Sequence, residues 1–106
     1  MKKILFTLAL LVSFNSFGQT TEQFLDSGIS KANLGDYYGA ISDITKSIEL
    51  ASERDNDGIV SFSKKYDFRA YCKANLKDYI GACSDWVEAK KLGSESAQEN
   101  ILKNCN

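Results

Sequence analysis

Hydrophobic positions along this chain fall into two kinds of run. From Ile4 to Val12 every residue but Thr7 is apolar, whereas from Thr20 onward apolar residues recur three or four apart among polar ones, the spacing of a helix with one buried face. Phe24, Gly28, Ala32 and Leu34 predict a helix from Thr20 or Thr21 to Leu34, packed on a second from about Tyr37 to Leu50 that carries Ala40, Ile41, Ile44 and Ile48. Ile59, Phe62, Tyr66 and Ala70 predict a third, from about Gly58 to Leu76, and a fourth runs from Tyr79 to Leu92 and stops at Gly93. Ser94 is placed to cap a fifth, Glu95 to Lys103, with Ala97 and Ile101 facing inward and Glu99, Lys103 and Asn104 facing water. The expected fold class is therefore all-α.

These helices contain a duplication. The fourteen residues Lys31 to Ile44 return 42 positions later as Lys73 to Trp86, with ten positions identical. Each copy reads as the waist of a helical hairpin: a helix ends at Leu34 or Leu76, and Asp36 or Asp78 caps the next. Gly35 supplies the left-handed residue usual after a helix, but Lys77 stands at that place in the second copy, at a cost of about 1 kcal/mol if the backbone is the same. A hairpin alone cannot bury its apolar stripe, so the two copies are expected to stack.

On these residues the chain resembles the tetratricopeptide repeat, a helix–turn–helix unit of about 34 residues. Phe24, Gly28, Ala40 and Ile44 take its characteristic places in a first repeat, about 21–54, and Tyr66, Ala70, Ala82, Trp86 and Ala89 in a second, about 63–96. Ser27 and Arg69 stand where Leu is usual, Lys31 and Lys73 stand where Tyr is usual, and the chain has no Pro. The eight residues by which the spacing exceeds the period are assigned mostly to a lengthened leading helix in the second repeat. The ending, from Gly81 through Trp86, Ala89 and Leu92-Gly93 to Cys105, is similar to small secreted tetratricopeptide proteins of Bacteroidetes-type bacteria. The resemblance implies two hairpins of a right-handed α-solenoid with a C-terminal capping helix, about 95–104.

Residues 1–18 stand apart from that fold. Lys2 and Lys3 precede the apolar run, and Ser16 and Gly18 lie where a signal peptidase reads small residues, so a cleavable secretory signal is expected. The run is too short to span a bilayer core, which needs about 20 residues. No Cys lies near the cleavage region, so the expected product is periplasmic or extracellular and not a lipoprotein, with no membrane insertion after cleavage. Residues 19–106 form one domain in this reading, with eleven basic residues against fourteen acidic ones. That balance, without a basic cluster, argues against nucleic acid and against an anionic membrane surface.

Candidate chemistry is sparse. The chain has no His and no glycine-rich phosphate loop, and no cofactor is expected. Asp55 and Asp57 begin like a calcium loop, but Val60 and Tyr66 occupy the places where Gly and a bidentate Glu are needed, so the stretch reads as a solvated turn. Asp43 and Asp85 are equivalent by duplication, which explains them without a paired-acid site. The three Cys lack the short paired spacing of zinc ligands, and no base stands ready to activate one as a nucleophile. The expected function is a non-enzymatic scaffold that binds a protein or peptide, with a structural subunit of an envelope assembly or a thiol redox protein as alternatives. Two repeats offer a small concave surface, which a homodimer would extend.

The resemblance places partner-binding residues on the leading helices: Leu25, Ile29 and Asn33, then Lys64, Asp67, Tyr71 and Asn75. With Lys64 the one basic candidate there, a clamp for a terminal carboxylate is not expected. Spacing about the two turns brings Cys83 near either Cys105 or Cys72; the resemblance, which includes a Cys at 83 and at 105, favours a Cys83–Cys105 disulfide with Cys72 a buried thiol.

Overall fold

The computed structural model describes residues 20–54 and 59–106. Among them the chain forms five helices and no strand: α1 Thr21–Asn33, α2 Tyr37–Arg54, α3 Ile59–Asn75, α4 Tyr79–Lys91 and α5 Glu95–Asn104. The fold is all-α, as expected. The expected leader at residues 1–18 and the expected turn at 55–58 lie outside the described residues.

Short-range chemistry sets the helix ends. Thr20 opens α1 with a capping box, its hydroxyl accepting from Gln23 N–H while the Gln23 side chain accepts from Thr20 N–H. Asp36 and Asp78 each accept from the N–H three residues on, Gly39 and Gly81, at 3.0 Å. A Cβ at either glycine would collide with the capping carboxylate, so the Asp-x-x-Gly spacing belongs to the cap.

Three turns then repeat one geometry. After α1, α3 and α4 the residues Gly35, Lys77 and Gly93 take φ of 84°, 65° and 104°. The N–H groups of Asp36, Asp78 and Ser94 reach back to the carbonyls of Lys31, Lys73 and Ala89 at 2.8, 2.9 and 3.0 Å. This closure satisfies the last carbonyls of each helix. Lys77 thus adopts the left-handed conformation that the duplication implied.

The extensive packing is between successive helices throughout, the nearest-neighbour pattern of stacked repeats. At the α1–α2 crossing Gly28 lets the backbones close, since a Cβ there would meet Ile44 Cγ1 at 2.9 Å and the Ala40 carbonyl at 3.2 Å. Ala70 takes the equivalent place on α3, in a core with Ala82, Trp86, Ala89 and Ala97. Trp86 is 4 % exposed and Ala97 fully buried, which seats α5 on α4. A second cluster, Ala32, Ala40 and Cys72 flanked by Tyr37, Ile41 and Phe68, joins the first hairpin to α3.

Two expectations need correction. Leu34 was expected to pack on α2 but is 86 % exposed, because it is the C-cap residue of α1 and projects at the hairpin tip. The surplus residues also do not go mainly to α3. Helix α2 has 18 residues against 13 in its counterpart α4, and α3 has 17 against 13 in α1, so the helices on both sides of residues 55–58 are longer. The apolar spacing of α2 continues to Ala51, which is buried.

Ser27, Lys31, Arg69 and Lys73, equivalent in pairs by the duplication, form a network with Asp43 and Asp85. Ser27 and Lys31 both reach Asp43, at 2.7 and 2.9 Å. One repeat later Arg69 and Lys73 both reach Asp85, and Arg69 Nη1 also donates to Thr45 on α2 at 3.2 Å. A further polar knot joins three helices: Thr21 and Ser47 exchange hydrogen bonds at 2.7–2.9 Å, and Lys65, 1 % exposed, donates to Thr21 Oγ1 at 2.9 Å. Satisfied polar groups therefore replace apolar ones along the seams between helices.

Candidate functional site

An open groove of about 480 Å³ lies between α3 and α5. Lys64, Asp67, Phe68, Tyr71 and Ala74 form the α3 wall, one helix face repeating at intervals of three and four residues. Ser96, Asn100 and Asn104 form the α5 wall, also at one-turn spacing, and Trp86 of α4 lies beneath. An apolar floor with polar groups on the walls is the usual construction of a binding cleft.

The walls are held from below. Cys83 of α4 and Cys105, the C-cap of α5, form a disulfide with their Cα atoms 5.8 Å apart, fixing the end of α5 that carries Asn104. At the other end Asp67 Oδ2 accepts from the hydroxyls of Ser94, the α5 N-cap, and Ser96. Oδ1 of the same carboxylate is buried and has no hydrogen-bond partner.

Tyr71, half-exposed, is steadied by other rings. It meets Tyr37 of α2 edge-on at 6.2 Å and Phe68 at 5.9 Å. Its side-chain hydrogen bond with Tyr37, with a smaller contribution from burial, raises the Tyr37 hydroxyl above the ordinary tyrosine value. Such ring contacts restrict the Tyr71 side chain at the groove wall.

Of the residues placed on the binding face by sequence, Lys64, Asp67 and Tyr71 meet in this groove. Asn75 lies on α3 but outside the lining, its amide donating to the Tyr71 carbonyl at 2.9 Å. Leu25, Ile29 and Asn33 lie on α1 and outside it too: Leu25 is half-buried, Ile29 is 37 % exposed and Asn33 is exposed. Phe68, Ala74, Ser96, Asn100 and Asn104 are groove residues that sequence reasoning did not assign. The signal for the last two was their i, i+4 spacing, which puts two amides on one side of α5.

Elsewhere the chemistry is structural. Asp43 and Asp85 each serve the lysine of their own repeat. The Asp43 carboxyl is pushed up by burial, but hydrogen bonds from Ser27 and Lys31 and the charges of Lys31 and Lys46 outweigh this and hold it below its usual value. Arg69 is raised by its hydrogen bonds to Asp85 against the opposing effect of burial. Cys72 is fully buried, and burial pushes its thiol up to about 11, far from the thiolate a nucleophile requires. Among the described residues no three His, Cys, Asp or Glu converge as a metal site, and no helix is long and apolar enough to cross a membrane. Comparison with protein-family models, curated proteins and solved structures found no match.

Proposed function

We propose that this protein is an exported, non-enzymatic interaction module of the tetratricopeptide type, which holds an extended segment of a partner protein in the groove between α3 and α5. The observation that carries this reading is the groove itself: Phe68 and Tyr71 share the α3 wall with Lys64 and Asp67, the buried Trp86 closes the base, and the hydroxyl and amides of Ser96, Asn100 and Asn104 face them from α5. Stacked helical hairpins use such surfaces for recognition, and aromatic anchors in a cleft commonly carry much of an interface's energy.

Two further features support the reading. The Cys83–Cys105 bridge suits an oxidising compartment, in keeping with the leader pattern. The absence of His from the chain and the burial of Cys72 leave the groove with no activated base or thiol, which favours binding over catalysis.

Capture of a partner from the native envelope by wild type and by Tyr71→Ala tests the proposal. The variant removes a half-exposed ring, so the melting temperature should change little while one specific partner is lost. Equal recovery of that partner by both proteins would place binding elsewhere.

A further inference from the structure

Helix α5 is lightly anchored. It packs extensively on α4 alone, and of its ten residues only Ala97 is buried, with Ile101 half-buried and Leu102 72 % exposed. A helix of that length is marginal in water without tertiary support. It is fastened at both ends. At its start Gly93, with φ of 104°, turns the chain and the hydroxyls of Ser94 and Ser96 donate to Asp67; at its finish the Cys83–Cys105 bridge ties it to α4.

The second fastening is one that chemistry can undo. Both bridged cysteines are partly exposed, and with Tyr79, Ile80, Asn104 and Asn106 they line an open cleft of about 360 Å³, which gives a small dithiol an approach to the bridge in the folded protein. Cys72 is fully buried and its thiol stays protonated, so exchange is confined to one pair. What the bridge fastens is a wall of the groove. Ser96, Asn100 and Asn104 stand on α5, and Trp86, 4 % exposed beneath, belongs to the core that Ala97 and Ile101 cover.

Resting on the groove reading above, we propose that Cys83–Cys105 is a thiol–disulfide exchange site through which a dithiol opens the groove. One thiolate of the dithiol attacks a bridge sulfur, breaking the S–S bond and forming a mixed disulfide, while the other cysteine leaves as thiolate and takes up a proton. The second thiol of the reductant then displaces the first cysteine. Two electrons and two protons pass in all: the dithiol ends as a disulfide, and Cys83 and Cys105 end as thiols. With the latch gone and the Gly93 turn left as a hinge, α5 undocks, Trp86 meets solvent and the groove loses one wall. Reoxidation restores it. The competing account makes the bridge a staple for the whole domain, whose loss loosens all five helices together.

The test treats the full chain with dithiothreitol below its melting transition. Alkylation with mass spectrometry counts thiols, amide hydrogen exchange reports each helix, and fluorescence reports Trp86, the single Trp of the chain. Two thiols should appear while Cys72 stays protected. Exchange across α5 should quicken about a hundredfold, the factor expected from losing the closure of a 22-residue loop, and Trp86 emission should move to the red. The amides of Ile44 and Ser47 on α2 should stay protected, and reoxidation should reverse every change. The Cys83→Ser/Cys105→Ser double variant should show the fast α5 exchange from the outset and ignore the dithiol. A bridge that yields only on global unfolding, an α5 as protected reduced as oxidised, or one common loss of protection across α2 and α5 overturns the inference. Capture of the partner through Tyr71 that is equal in the oxidised and reduced protein fails this inference alone. Release of α5 in a protein whose capture is indifferent to Tyr71→Ala fails the groove reading and leaves the exchange site standing.

Discussion

Arg69 on α3 grips Asp85 on α4 through two hydrogen bonds, Nε to Oδ2 and Nη2 to Oδ1, each 2.8 Å long. Lys73 adds a third contact to Oδ2 at 3.0 Å, and the Asp85 side chain is only 4 % exposed. The matching site in the first hairpin has Ser27 in place of the arginine and leaves Lys31 41 % exposed. The same three positions are thus a buried ion network in one repeat and a half-solvated one in the other.

That asymmetry predicts unequal costs. Asp85→Ala leaves two cations without their acceptor in a closed environment and should destabilise the fold by about 3–5 kcal/mol. Asp43→Ala should cost only about 1 kcal/mol, because its partners can turn to water. Adding Arg69→Leu, which removes one of the two stranded cations and fills its place with apolar volume, should recover part of the Asp85→Ala loss. Urea unfolding of the four proteins measures this; equal costs at the two aspartates would show that the networks are equivalent.

Acid stability follows from Asp43. Its folded carboxyl titrates below the unfolded one, so its contribution is complete above the unfolded value and is lost as pH falls through the folded one. Asp43→Asn should therefore lose stability less steeply than wild type on acidification. Chemical denaturation midpoints along a descending pH series provide the check, and superimposable slopes would contradict the assignment.

Much of the fold was legible because the duplication carries its own punctuation. Leu-Gly-Asp, Leu-Lys-Asp and Leu-Gly-Ser mark the three turns, and Ala40, Ile44, Ala82 and Trp86 face the core as their spacing implies. Leu34 misled because periodicity assumes the helix continues, whereas a cap residue leaves the helical register. The partners of Asp43 and Asp85 were visible only as departures from a pattern; pairing them required knowing which faces of α1 and α3 meet the following helix. The groove was half legible for a related reason. One wall is a ridge of α3 and could be read from spacing, but the other is α5, whose asparagines look like an ordinary solvated face until the fold sets them opposite Tyr71.

The cysteines provide a chemical check. The native protein should expose no reactive thiol, the unfolded protein without reductant should expose one, Cys72, and the reduced unfolded protein all three. Replacing Cys83 and Cys105 by Ser should cost about 3 kcal/mol, from a bridge spanning 22 residues, and lower the melting temperature by roughly 10–20 °C. Alkylation counted by mass spectrometry, with a thermal melt of the double variant, tests both statements. A native thiol that reacts freely would mean that Cys72 is not enclosed by α2 and α3.

Site-specific photo-crosslinking tests the central claim most directly. On the proposed function, a photoreactive residue at Asn100, on the α5 wall, should join the protein to one partner in cells that produce it, whereas the same residue at Val87, exposed on α4 outside the groove, should not. Tyr71→Ala should abolish the product formed at position 100. A partner joined equally well from position 87, or a product at position 100 that survives Tyr71→Ala, would contradict the groove between α3 and α5 as the place where this protein works.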